Sequence, residues 1–213
     1  MVKVINQSFK IIDKLDGLKT LKKIEKIARI CYKTEKLISE DGSSAKKLIK
    51  HLVDRGHTAM LEHGYSISVH MICNRGLTHE LVRHRLASYA QESTRYCDYA
   101  KSKHGHEITV IKPLSFEDGI TYEKYKYNIW EMAMLKAEHS YFELRDNGVL
   151  PQIARGVLPI DVKTEIVITA NPTEWRHIFR LRTNEAAHPQ IRTMMKNILK
   201  EFKKEIPILF DDL

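Results

Sequence analysis

Apolar residues recur along this chain with two periods, and where one gives way to the other the secondary structure can be sketched. Leu21, Ile24, Ile27, Ala28 and Cys31 follow the three-to-four spacing of one helix face. A second helix is predicted to turn Leu48, Ile49, Leu52 and Val53 inward, with Ser44 as its N-cap and Gly56 as its terminator. Tyr65, Ile67, Val69 and Met71 then alternate with Ser66, Ser68 and His70, the period-two pattern of a half-buried strand. Thr78 is expected to open a short helix running into Arg83-His84-Arg85, and Glu107–Ile111 is a strand candidate that Pro113 stops.

The second half continues the mixture. Tyr122 to Leu144 predicts a long amphipathic helix ended by Asn147-Gly148, and Pro151 restarts a brief helix that Pro159 halts. Thr164 to Ala170 forms a further strand. Asn171-Pro172-Thr173-Glu174 is then a strong helix start: a capping Asn, Pro at the first helical position, and a Glu placed to reach back. Pro189 opens the last predicted helix, with Ile191, Met194, Met195, Ile198, Leu199 and Phe202 on one face. No repeat, low-complexity tract or long linker interrupts residues 1–213, which predicts a single domain. Strands and helices mix without regular βαβ alternation, so the expected class is α+β.

Composition adds limits more than direction. At 213 residues with 43% hydrophobic and 29% charged residues, the chain can build one substantial core. No apolar stretch is long enough for a transmembrane helix, and the segment after Met1 lacks a signal core. The three cysteines, Cys31, Cys73 and Cys97, show no Cys-x-x-Cys spacing, which argues against a disulfide framework and fits a reducing cytoplasm. The net charge of +8 suits an anionic partner. Lysines account for much of it as solvated surface, but the arginines cluster at 83–95, 155 and 176–192, inside apolar segments.

Two attractive motifs fail on geometry. Six histidines fall between positions 51 and 84, and His79-Glu80-Leu81-Val82-Arg83-His84 nearly spells a zinc-protease motif. Its two histidines are five apart, however, which places them about 140° around a helix instead of on one face. His57 and His63, six apart, fail similarly, so no metal is expected. Neither Gly-x-Gly-x-x-Gly nor a Walker loop occurs, leaving no Rossmann or P-loop nucleotide site. A nucleic-acid-binding module, motivated by charge, lacks the aromatic-basic interleaving of a stacking platform. A metal-dependent hydrolase is the other rival.

The dense stretch is Arg83-His84-Arg85-Leu86-Ala87-Ser88-Tyr89-Ala90-Gln91-Glu92-Ser93-Thr94-Arg95-Tyr96. Guanidinium forks and a serine hydroxyl match phosphate oxygens. The stretch closely resembles the signature of flavin-dependent thymidylate synthases. Gly56-His57 through Glu62-His63, Ala154-Arg155 through Leu158-Pro159, and Asn171 through Arg182 to Arg192 resemble that family's other motifs, in order, over about two-thirds of the chain.

This resemblance implies that family's fold, a sheet flanked by helices, and the reductive methylation of dUMP to dTMP. NADPH would reduce FAD, 5,10-methylenetetrahydrofolate would donate the carbon, and the flavin would supply the hydride. It further implies that His57, Glu62, Arg83, His84, Arg85, Asn171 and His177 hold FAD. Arg83, Gln91, Ser93, Arg95, Arg155 and Arg182 would bind dUMP, with Arg182 the catalytic residue that favours the ionised uracil. The family's homotetramer builds each site where subunits meet. The chain departs from the pattern in having Glu80 where Gln is common, Thr173 where Arg is common, and Ala-His188-Pro-Gln190-Ile for Ala-Gln-Pro-Glu-Ile. Several of these residues also admit purely structural roles: His57 or Arg182 at a helix end, Arg155 paired with Asp161, Asn171 as a cap.

Overall fold

The computed structural model describes residues 2–101, 105–114 and 121–213, with side chains from residue 124 in the last stretch. Strands and helices are mixed, as expected for the α+β class. The first elements are β1 (Lys3–Ile5), β2 (Ser8–Ile11), α1 (Gly17–Ala28) and α2 (Ser43–Asp54). β3 (Ile67–Asn74), α3 (Arg75–Leu81), β4 (Ser88–Gln91), β5 (Thr109–Ile111) and α4 (Thr121–Asp146) follow. The chain continues through α5 (Pro151–Ala154), β6 (Lys163–Ala170), α6 (Pro172–Arg182), α7 (Pro189–Glu205) and α8 (Pro207–Phe210). One sheet has the order β2-β3-β6-β4, and β1 and β5 form a separate pair.

The chain divides into two compact units that interleave along the sequence. The first comprises Met1–Ser8, Met71–Arg83 and Ala90–Val167. Here β1 pairs parallel with β5, Val4 opposite Val110, and Val2, Ile108, Val110, Met134, Tyr141 and Val162 form its core. Several buried polar groups in this unit have specific partners. The Glu138 carboxylate accepts from the Ile108 N–H at 3.0 Å, and Asp98 receives Arg145 at 2.8 Å. Asp161 accepts from Asn74 Nδ2 at 2.7 Å and Trp130 Nε1 at 2.9 Å.

The second unit comprises Phe9–His70, His84–Tyr89 and Ile168–Leu213. Trp175 and Phe179 of α6, Phe202 of α7 and Phe210 of α8 pack ring against ring, all fully buried. Each such pair adds about 0.5–1.5 kcal/mol beyond the area it buries. Trp175 also donates its indole N–H to the Ile67 carbonyl at 3.0 Å, which leaves no polar atom of that ring unsatisfied. Every residue predicted for the inner face of α7 is buried.

Several local expectations are corrected. Ser44 does not cap α2; Gly42, at φ 78°, holds that position. The Ser44 hydroxyl instead donates to Glu25 Oε2 at 3.0 Å, and Glu25, fully buried on α1, pairs with Arg29 at 2.7 Å. The helix before Arg83 starts at Arg75, not Thr78, because the Asn74 side chain accepts from Leu77 N at 2.8 Å. The strand predicted over 65–71 is displaced to Ile67–Asn74 with its alternation intact, and Tyr65 is exposed. Cys31 lies beyond α1 and is exposed. α4 buries Met134, Glu138 and Tyr141 but leaves Tyr125, Ile129 and Met132 exposed, so it is less cleanly amphipathic than its sequence implied. The Tyr122 side chain lies outside the described residues. α8 follows the helix expected to be last.

Candidate active site

The helix α6 organises the second unit's chemistry. Its start is as predicted in part: Asn171 Oδ1 accepts from Glu174 N at 2.9 Å, and Pro172 occupies the first turn. Glu174, however, does not turn back toward the cap. It is buried, with Oε1 3.8 Å from His84 Nδ1. At the far end of the helix Arg182 Nε donates to His84 Nε2 at 3.0 Å. His177, exposed, sets its ring edge-on to His84 with centroids 5.5 Å apart. Tyr89 holds the His84 backbone, its hydroxyl donating to the carbonyl at 2.9 Å.

This environment keeps His84 neutral. Burial pushes its pKa down to about 4, and the charges of Arg182 and His177 act in the same direction. Burial likewise raises the Glu174 carboxyl, while His177 opposes the shift. His84, Glu174 and His177 bring metal-ligating atoms within 4.8 Å of one another, a convergence hidden in the sequence by the distance between positions 84 and 174. The guanidinium beside His84 Nε2 disfavours a dication there by direct repulsion.

Two further expected cofactor residues stand at the 3-10 turn Thr58–His63, His57 at its N-cap and Glu62 within it, and both are exposed. This turn is anchored to the start of α6: Thr173, where the family commonly has Arg, donates its hydroxyl to the Thr58 carbonyl at 2.9 Å. Gly64 permits the approach, since a Cβ there would come within 2.6 Å of Pro172 Cγ. The departure at His188 is also structural, because His188 caps α7 by accepting from Gln190 N at 3.3 Å.

The first unit holds the nucleotide candidates other than Arg182. Arg155 donates to Thr94 Oγ1 at 3.1 Å, and both line a cavity of about 280 Å³ with Arg75, His79 and Pro159. Arg155 therefore does not take Asp161, which is occupied by Asn74 and Trp130. Ser93 Oγ accepts from Arg95 N at 3.3 Å, and its carbonyl accepts from Tyr96 N and Cys97 N. The resulting turn presents Arg95 exposed, its guanidinium 5.6 Å from the Tyr96 ring centre. Gln91 gives its amide N–H groups to Thr78 and Thr164 at 3.0 and 3.2 Å. Sequence reasoning missed Arg75 and Thr94 and treated His79 only as a failed zinc ligand. The spacing of Arg75 and His79, four apart on a helix, was the available signal. Cys73 is fully buried, its thiol pushed up to about 12 by desolvation.

Comparison with known proteins gives these residues their context. The sequence model described as "Thymidylate synthase complementing protein" matches residues 11–208. The flavin-dependent thymidylate synthase of Pyrococcus furiosus is 35% identical over 175 residues, 81% of this chain and 68% of that protein. That of Geobacter sulfurreducens is 32% identical over 193 residues, 87% of this chain and 78% of its own length. The same fold occurs in the UMP/dUMP methylase PolB of Streptomyces cacaoi bound with 5-Br dUMP, at TM-score 0.81 and 21% identity, covering 99% of this chain and 96% of that one. With a family model matched over residues 11–208 and relatives 32–35% identical over most of its length, this chain belongs to the flavin-dependent thymidylate synthase family.

Proposed function

We propose that this chain methylates dUMP to dTMP, with FAD as its bound cofactor and NADPH and 5,10-methylenetetrahydrofolate as co-substrates. The observation that carries this reading is the state of the motif arginines. Arg83, Arg85, Arg95 and Arg155 are exposed and have no carboxylate partner among the described residues, whereas Arg29, Arg145, Arg176 and Arg192 each have one. Guanidinium groups without an internal acid are suited to a phosphate dianion or a pyrophosphate, which they can engage through two parallel N–H donors. The named relatives, flavin-dependent thymidylate synthases, support both the nucleotide and the flavin.

FAD fits the donor set on the cofactor side. Arg83 and Arg85 offer exposed cations for its pyrophosphate, and His57, Glu62 and His177 are exposed polar groups able to contact its rings. Asn171, whose oxygen caps α6, contributes through its Nδ2 group, and His84 contributes as a neutral imidazole. When bound, FAD supplies the hydride that completes the methyl group. For dUMP, Ser93, Arg95 and Arg155 bind the phosphate with Arg83. Gln91, its N–H groups committed, acts through its carbonyl oxygen. Arg182 stabilises the negative charge that develops on uracil as density is pushed toward C5.

The enzyme is read as a homotetramer with shared sites, in a reducing cytoplasm. The exposed row of Tyr125, Ile129 and Met132 on α4 supports assembly, and the three free cysteines support the compartment. No helix among the described residues is long and apolar enough to cross a membrane.

The direct test is colour. Purified protein is expected to be yellow, with flavin absorption that survives gel filtration; a colourless protein that takes up no added FAD would sink the reading. A second expectation separates this chemistry from thiolate attack on uracil. Cys73 is buried with its thiol held protonated, Cys31 is exposed and Cys97 is partly buried, and none belongs to the proposed site. The triple Cys→Ala variant should retain dTMP formation. Loss of turnover with flavin still bound would place a cysteine in the mechanism.

A further inference from the structure

We propose that Glu174 is a positioning residue for this reaction, holding His84 in the tautomer that lets it accept a hydrogen bond from Arg182. The inference rests on the role of Arg182 given above and extends it to two groups behind that arginine.

A guanidinium can only donate. Arg182 Nε lies 3.0 Å from His84 Nε2, so that nitrogen must present its lone pair. His84 is neutral in its buried setting, and a neutral imidazole carries one proton. The proton therefore resides on Nδ1, the nitrogen that faces Glu174 Oε1 at 3.8 Å. That separation is too long for a direct hydrogen bond but short enough for the carboxylate to favour an N–H dipole over a lone pair. The groups facing His84 are Glu174, Arg182 and His177, with the Tyr89 hydroxyl on its carbonyl. Glu174 is the acid among them.

Helical geometry explains why this acid sits here. Glu174 and Arg182 stand at opposite ends of α6, and His84 bridges them from outside the helix. The bridge restrains a long side chain at a helix terminus, where fraying would otherwise leave its rotamer loose. A charge meant to meet developing negative charge on a substrate ring gains from being fixed beforehand. Reversing the tautomer would point an N–H at the Arg182 Nε–H and break that bond.

The test uses FAD-loaded protein labelled with ¹⁵N-histidine and ¹⁵N-arginine, the His84 and Arg182 signals being assigned by their absence in His84→Gln and Arg182→Ala. In the parent, His84 is expected as the Nδ1–H tautomer. A parent spectrum showing Nε2–H would overturn the proposal without any variant. Glu174→Gln can turn its amide N–H toward Nδ1. It should shift His84 toward Nε2–H, displace the Arg182 Nε–H resonance, and lower kcat for dTMP by about tenfold to hundredfold, with FAD retained. Glu174→Asp, which keeps the charge, should preserve the tautomer and restore most of the turnover. A fall in turnover with His84 still Nδ1–H would overturn the relay and leave the proposed reaction standing. A switched tautomer with parental turnover would also overturn the proposal, since the orientation of His84 would then be immaterial to the reaction.

Discussion

Arg182→Ala is expected to keep FAD and the fold while losing dTMP formation by about 10²–10³, the usual loss on removing one preorganised electrostatic donor. Uracil is a poor nucleophile until negative charge accumulates on the ring, and a guanidinium near it stabilises that charge at every working pH. Arg182 is half-buried at the end of α6, and its Nε is already engaged with His84 at 3.0 Å, so its terminal nitrogens are held by a bond on their inner side. Arg182→Lys should rescue little. An ammonium has no second arm with which to hold His84 while meeting a substrate, and its point charge lacks the planar fork. NADPH oxidation should suffer much less than methyl transfer, because flavin reduction does not require ionised uracil. Steady-state dTMP formation measured beside single-turnover flavin reduction separates the two. Near-parental dTMP formation by Arg182→Ala would return this arginine to a helix-terminus role.

What could be read from sequence was what local chemistry decides. Asn171-Pro172 announced α6 because the cap and the fixed φ of proline act within one turn, and the side chain of Asn171 does accept from Glu174 N. The inner face of α7 was legible for the same reason: periodicity is local. The failures came from tertiary competition. Ser44 has the right identity for a cap but is drawn to buried Glu25, an acid on a helix's inner face that no periodicity rule anticipates. Asn74 was a valid cap signal, masked because it closes the hydrophobic run of β3. The motif residues could be placed on a family pattern, but their relations could not. Nothing in the spacing pairs Arg182 with His84, and Glu174 looked like a capping-box residue until its carboxylate was seen facing His84.

Asp212→Ala is expected to destabilise the protein by about 3 kcal/mol, near the lower end for breaking a buried ion pair. Arg176 is the reason. It lies on α6 between Glu174 and His177, is 1% exposed, and donates from Nη1 and Nη2 to the two oxygens of Asp212 at 2.7 and 2.6 Å. It also bonds the Leu209 carbonyl, while its Nε–H finds no acceptor among the described residues. Removing Asp212 leaves a buried cation with a single carbonyl, and the desolvation already spent on it has no compensation. Partial exposure of the aspartate, 40%, and the surviving carbonyl keep the loss from the upper end. The Arg176 hydrogen bonds hold the Asp212 carboxyl below its ordinary value. The unfolded chain therefore binds the proton more readily, so this contribution is present above the ordinary carboxyl pKa and fades as pH falls below it. Arg176→Met in the Asp212→Ala background should recover most of the stability, since an apolar side chain of similar length removes the stranded charge. Chemical denaturation of the three proteins measures this. An Asp212→Ala variant as stable as the parent would mean that water reaches Arg176 and that the pair is a surface contact. The double variant also separates scaffold from chemistry. If α6 needs only to be held, it should regain dTMP formation along with stability, because Glu174 and Arg182, the two groups that His84 bridges, lie on the same restored helix and Arg176 is not among the proposed site residues.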